Sequence, residues 1–234
     1  MTPLLPIIHE TGGFVAIDKP SGLSVHRGLS HDTVFVVTLL REQLGAAVFP
    51  VHRLDRATSG VLLLAKDAAS AREAQSAFVE GGAEKCYLAL VRGVPAAPSG
   101  LIDAPVPKGE GEERVPARTR YRTLAVVEVP GADRSGAARR FAVVEARPET
   151  GRFHQIRRHL KHIGHPLVGD TNYGDGRVNR FFREHVGITR LGLHAASLDL
   201  DLPGSGQKLH LTAPLPADLA APLVRLGLDL SLLA

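Results

Sequence analysis

Two segments of this 234-residue chain carry side chains whose types and spacing could do chemistry. In the first, His52-Arg53-Leu54-Asp55-Arg56-Ala57-Thr58-Ser59-Gly60, an acid has arginines at i−2 and i+1, then turn-forming residues, then the apolar run Val61 to Ala65. Asp55 therefore stands where the chain leaves the surface for the core. Neighbouring guanidinium charge favours the ionised acid, which can act as nucleophile, general base or metal ligand. A surface ion pair at a strand entry would use the same residues.

The second segment is Thr150-Gly151-Arg152-Phe153-His154-Gln155-Ile156-Arg157-Arg158-His159-Leu160-Lys161. Ile156, Leu160 and Ile163 recur at i, i+4 and i+7, so a helix with these turned inward puts Arg157 and Lys161 on one flank and Arg158 and His154 on others. Such a helix can grip phosphates, and its first turn offers free N–H groups to an anion. A solvated helix face would carry the same charges. A third pattern, His159, His162, His165 and Asp170, raises a metal site, but no His-Glu-x-x-His spacing exists and His165-Pro166 reads as the turn after the helix. There is no Walker or dinucleotide glycine loop and no Gly-x-Ser-x-Gly elbow. The single cysteine, Cys86, excludes an internal disulfide or multi-thiolate site and reads as a buried structural thiol.

Several elements must position these residues. Pro6 to Glu10 and Phe14 to Asp18 form a hairpin, ended by a turn at Lys19-Pro20-Ser21-Gly22. Asp32 or Thr33 caps a helix carrying Val36 to Leu44 and stopping at Gly45. Val61 to Ala65 is short and uninterrupted, as in a strand buried on both faces. Asp67 caps an alanine-rich helix that ends near Gly81 and Gly82. Strands are expected at Tyr87 to Arg92, Arg120 to Val129, Arg140 to Ala146 and Leu193 to Leu202, the last with Lys208 to Thr212 as hairpin partner. Val94 to Pro116, rich in Pro, Gly and Glu, reads as a long exposed loop. Thr150 caps the helix through His154 to Ile163, closed by Gly164, and Pro214 to Leu228 makes a terminal helix. Without a regular β-α-β rhythm, internal repeat or linker, the chain predicts an α+β fold: one domain over residues 1–234, with a mixed, mostly antiparallel sheet flanked by helices.

A composition of 44% hydrophobic and 22% charged residues supports a real core and excludes a disordered chain. The formal net charge of +4 is localised, since residues 150–190 hold eight cations against three anions. A face that meets a polyanion has this signature. With no Trp and 5% aromatics, a general single-strand binder built on stacking platforms is disfavoured. No basic leader or bilayer-length apolar run is present, which predicts a cytoplasmic protein with no membrane partner.

His52 to Gly60 with the following Val61 to Asp67 resembles the HRLDxxTSG motif of the RluA-type RNA pseudouridine synthases, and Thr150 to Leu160 resembles their TGRxHQIRxHL motif. Asp18 to Gly22 with Val25-His26, Lys85 to Gly93, Gly164 to Asp170 and Leu193 to Ala195 match in order, so the likeness spans nearly the whole chain. Gly169 to Ala195 and Gly45 to Asp55 are similar to the branch of that family acting on uridine 65 of tRNA. The resemblance implies the pseudouridine synthase catalytic fold with an active-site cleft, no S4-like domain before it, and isomerisation of uridine in tRNA. Ribosomal RNA is the alternative substrate, and a non-catalytic RNA-binding module the alternative function. No cofactor, metal or obligate protein partner is implied.

Residue by residue, the resemblance makes Asp55 the nucleophile, attacking C1′ of the ribose or C6 of the base. Arg157 would pair with Asp55, orient it and keep it ionised. Arg53 would fill the space left by a flipped uridine, and Tyr87 would lie against that base. Arg152, Arg158 and Lys161 would contact the RNA backbone.

Overall fold

The computed structural model describes residues 4–27, 32–109, 111–132 and 136–233. The chain divides into two compact units, one of residues 1–85 and 195–214, the other of residues 86–194 and 215–234.

In the first unit, strands β1 (Ile7–Glu10) and β2 (Phe14–Lys19) form the expected hairpin, followed by helix α1 (Val36–Leu44), β3 (Phe49–Pro50), β4 (Ser59–Ala65) and helix α2 (Ala68–Glu80). Strand β5 (Ala83–Arg92) begins here, and β11 (Leu193–Asp201) and β12 (Lys208–Thr212) complete the unit. The strand order is β1-β2-β4-β11, with β3 beside β4 and β12 beside β11. Every residue of β4 is buried, as its uninterrupted apolar run demands. Each of its large aliphatic side chains contributes about 1.5–3 kcal/mol by leaving water.

Helix α2 begins where expected, because the Asp67 carboxylate accepts from Ala69 N at 2.9 Å and Ser70 N at 2.8 Å. Its buried face is Ala71, Ala74 and Ala77, small enough to lie close on Leu63, Leu200 and Leu209 of the core. Helix α1 departs from expectation at its start. Neither Asp32 nor Thr33 caps it; Val36 N and Val37 N instead donate to the carbonyls of Ser24 and Val25. Two otherwise orphaned N–H groups are thus met by main chain, and Asp32 is released to pair with Arg56.

In the second unit, β5 continues and is joined by β6 (Ser99–Asp103), β7 (Val106–Pro107), β8 (Arg114–Val115), β9 (Arg118–Val129) and β10 (Arg139–Pro148). The order is β5-β10-β9-β6, with β7 and β8 as a separate small hairpin. The described residues of 94–116 are therefore not the structureless loop expected. Strand β6 pairs along β9 from Ser99 opposite Arg122 to Asp103 opposite Arg118, and within it only Ile102 is buried. An edge strand with one buried side chain shows no alternation to read.

The helices of this unit are α3 (Gln155–His162), α4 (Gly176–Phe181), which runs into a π-turn at Phe182–Val186, and α5 (Ala217–Arg225). Helix α4 was not anticipated; Asp175 caps it, and its buried Val178, followed by Phe182 and Val186 of the π-turn, is interleaved with Arg177, Arg180 and Arg183. The core joins Phe141, Val143 and Val127 to Phe182, Leu219 and Leu223, with the Phe141 and Phe182 rings edge to face at 4.7 Å. All the pairings β1–β2, β2–β4, β3–β4, β11–β12, β5–β10, β9–β10 and β6–β9 are antiparallel, and the fold is α+β as expected. Among the described residues no helix is long and apolar enough to cross a membrane.

Candidate active site

The first-unit segment 51–58 links β3 to β4, and main-chain contacts fix it. Asp55 O accepts from Thr58 N at 3.0 Å, closing a turn over Arg56 and Ala57. The turn after β2 grips this one: Gly22 N donates to Arg56 O at 2.8 Å and Ser21 Oγ to Ala57 O at 2.7 Å. At the centre is Lys19, fully buried, whose Nζ donates to the carbonyls of Pro20 (2.8 Å), Leu23 (2.7 Å) and Arg56 (3.2 Å). A buried ammonium needs such partners, since three N–H donors without acceptors would cost several kcal/mol.

Beyond the turn, Thr58, Ser59 and Gly60 are buried. Gly60 has φ +109, and a Cβ there would lie 2.1 Å from Ala195 O, so only glycine lets the two main chains approach. His52, at the other end, accepts from Leu63 N at 2.9 Å through Nε2. Burial, and then the charge of Lys85, lowers its pKa to about 3, so the ring is neutral with its proton on Nδ1. Asp55 is left half-buried between exposed Arg53 and exposed Arg56, and Arg56 Nε reaches Asp32 at 3.1 Å.

The second unit holds Tyr87 and Arg157. Tyr87 is half-buried on β5, opposite Ala146 of β10. The adjacent Cys86 is buried, as expected, and donates to Glu145 at 3.7 Å; burial and then the Glu145 charge raise its thiol to about 11, leaving it protonated and inert.

Helix α3 does not use Thr150 as its cap. The flanking position is His154, the only described non-glycine residue at positive φ (+52). No side chain caps the helix; buried Gln155, the first helical residue, instead ties the preceding segment down: its Oε1 accepts from Thr150 Oγ1 at 2.6 Å and Arg152 N at 3.0 Å, while Nε2 donates to Arg118 O at 2.9 Å and Thr119 Oγ1 at 3.0 Å. Both donors and both acceptor sites of that amide are used.

Arg157 is buried, not on a phosphate-facing flank as the helix periodicity suggested. Its Nε and Nη2 donate to the two oxygens of Asp170 at 2.8 and 2.9 Å, a bidentate pair. Asp170 also accepts from Asn172 N and Tyr173 N at 2.9 and 3.0 Å. Burial alone would raise the Asp170 pKa, but Arg157 and the two N–H groups outweigh it and the carboxyl titrates below its usual range. Gly169 makes the arrangement possible, because at φ +77 a Cβ would meet Arg190 O at 1.9 Å.

Two of the three histidines raised as metal ligands have other duties, and His162 is exposed. Buried His159 donates from Nε2 to Ala104 O and accepts from Thr119 Oγ1, each at 2.8 Å; burial is the chief reason its pKa is lowered. His165 Nδ1 meets Arg92 O at 3.0 Å. Arg152 and Lys161 are exposed and Arg158 half-buried, the last two gathered with Arg157 about the Tyr173 ring. The expected site residues thus fall into two groups, Arg53 and Asp55 in one unit and Tyr87 and Arg157 in the other. Lys19, Asp170 and Tyr173 are additions. A lysine ending an apolar strand before Pro20, and a lone acid 13 residues beyond Arg157, were the available signals.

The family model described as RNA pseudouridylate synthase matches residues 13–162. A tRNA pseudouridine synthase C of Vibrio cholerae serotype O1 is 42% identical over 224 residues, covering 91% of each chain. Its namesake in Yersinia pestis is also 42% identical, over 221 residues, covering 90% of this chain and 86% of the relative. Of solved structures, human RNA Pseudouridylate Synthase Domain Containing 1 aligns over 95% of this chain and 89% of its own, at TM-score 0.76 and 26% identity.

Proposed function

The chain belongs to the RNA pseudouridylate synthase family, and on that premise we propose that it is a cytoplasmic enzyme that isomerises uridine 65 of tRNA to pseudouridine, with Asp55 as nucleophile. The observation that carries the assignment is the setting of Asp55, a half-buried carboxylate in a turn held by Lys19, Ser21 and Gly22 and leading into a fully buried strand. Main chain fixed immediately beyond a functional acid pre-sets its position before the substrate arrives.

The reaction breaks the bond from uracil N1 to ribose C1′ and makes one from C5 to the same carbon. Asp55 attacks C1′ and displaces the base, or adds to C6 and lets the base turn as the N1–C1′ bond breaks; C5 then bonds to C1′, the bond to Asp55 breaks and frees the carboxylate, and in either route C5 gives up its proton and N1 gains one. No atom is gained or lost overall. A stacked uridine must first leave the helix, at a cost of a few kcal/mol. Exposed Arg53 takes the vacated place, Tyr87 lies against the flipped base, and Arg157 serves as active-site support. Arg152, Arg158 and Lys161 hold backbone phosphates, which position RNA without reading its sequence.

Mapping pseudouridine across RNA from cells lacking the gene tests the substrate. Unmodified uridine 65 in tRNA is expected. Loss confined to a ribosomal RNA position would overturn the tRNA assignment and keep the chemistry.

A further inference from the structure

Tyr173 belongs to neither of the two motifs that drew the sequence reading, yet three cations converge on its ring. Arg158 Cζ lies 4.8 Å from the centroid, Arg157 Cζ 5.1 Å and Lys161 Nζ 5.9 Å. Its main chain and hydroxyl are both tied: the amide donates to Asp170 and the hydroxyl meets His154 Nδ1 at 3.0 Å. His154 holds a left-handed conformation and stacks on Phe153 at 3.8 Å, so the ring stands on a fixed base.

The three cations are not equivalent. Arg157 is neutralised by Asp170. Among the described residues, no carboxylate pairs with Arg158 or Lys161, and the buried Nε of Arg158 has no hydrogen-bond partner. Arg158 also lies 5.7 Å from the Phe153 centroid, so two rings and no anion hold it. Like charges at i and i+3 on one helix repel. A ring quadrupole offsets part of that and limits the rotamers, but it does not cancel the charge. What results is an ordered pair of cations with unspent charge, suited to an anion of two or more oxygens. Arginine ordered beforehand loses less freedom on binding phosphate than one free in solvent.

We propose that Tyr173 is a positioning residue that sets Arg158 and Lys161 as a phosphate grip for the RNA backbone. The proposal rests on the RNA-substrate reading above and adds to it the residue that organises the grip. Since the ring holds the cations and its main chain stays tied to Asp170 without the hydroxyl, Tyr173→Phe should keep most of the function and Tyr173→Leu should lose it.

The test measures binding of unmodified tRNA transcript between 50 and 300 mM KCl, for wild type, Tyr173→Leu, Tyr173→Phe and Arg158→Gln, together with kcat and KM. Tyr173→Leu should weaken affinity about three- to tenfold and lower the slope of log Kd against log salt by about one, because one phosphate contact is lost. The loss should fall on KM, and Tyr173→Phe should restore affinity to within about twofold of wild type. In a Tyr173→Leu background, Arg158→Gln should add little. Wild-type affinity and salt slope in Tyr173→Leu would overturn the proposal, as would a loss confined to kcat. If Tyr173→Leu does not fold, Arg158→Gln alone carries the same salt test. Binding is read without turnover, so absence of catalysis on tRNA by wild type would defeat the substrate assignment and leave the grip to be judged on its own.

Discussion

Asp55 and Arg157 are both charged, both proposed for the same reaction, and held in opposite ways. In the Asp55 turn, Lys19, Ser21 and Gly22 bind the carbonyls of Arg56 and Ala57, and the Asp55 carboxylate is half-buried. Around Arg157 the support acts on the side chain itself, two hydrogen bonds to Asp170 in a buried setting. The proposed nucleophile thus sits in a turn tied through its backbone, whereas the proposed support is gripped by its charge. The two designs should fail differently when cut.

The largest effect is expected at Asp55 and should be purely chemical. Asp55→Asn should lower the rate of pseudouridine formation more than about a thousandfold, since an amide is a poor nucleophile, while thermal unfolding stays within about 2 °C of wild type. Next comes Asp170→Asn, which removes the carboxylate charge from the bidentate pair of the buried Arg157 guanidinium and should destabilise by about 3–5 kcal/mol. For a chain of this size that is at least about 6 °C in Tm by calorimetry. Arg157→Lys should not recover it, because an ammonium cannot make the bidentate pair.

A smaller loss of about 1–3 kcal/mol is expected from Lys19→Met, which keeps the chain length but leaves the Pro20 and Leu23 carbonyls without a donor. Denaturant midpoints would measure it, and activity should fall with it because the Asp55 turn loses its central tie. An activity loss without a stability loss would contradict this role of Lys19.

A last effect is absent at neutral pH and grows only on acidification. His52 in the first unit and His159 in the second both have folded pKa values below the unfolded value of 6.5. As pH falls through 6.5 the unfolded chain takes up protons that the folded chain refuses, so their contribution is complete above 6.5 and declines below it. Each histidine adds a slope of about 1.4 kcal/mol per pH unit until its folded pKa is reached, near 3 for His52. His52→Gln should flatten the urea-derived stability curve between pH 6 and 4.

The contrast also governs what the sequence disclosed. Strand β4, helix α2 and the β11–β12 hairpin were legible because their signals are local: an unbroken apolar run, an Asp67 cap with spaced alanines, a pair of apolar segments. Asp55 was legible as a candidate from its arginines and the turn behind it. The support for Arg157 was not, since Asp170 is 13 residues away and no periodicity links the two. Lys19 was passed over because a charged residue at a strand end normally faces water; burial by three carbonyls is decided by turns at residues 20–23 and 56 meeting in space. The cap expected for α1 is replaced because main-chain carbonyls meet its N–H groups first, and that for α3 because the helix starts only at Gln155, after the left-handed His154. Strand β6 and helix α4 were hidden by edge position and by interleaved arginines.

The most direct test of the central claim is tritium release from tRNA transcript carrying 5-³H-uridine, with wild type and Asp55→Asn compared at equal folded concentration. C5 loses its hydrogen only when the new bond to C1′ forms there. Release by wild type and none by Asp55→Asn is the predicted result. Release by Asp55→Asn at the wild-type rate would show that the carboxylate is not the nucleophile.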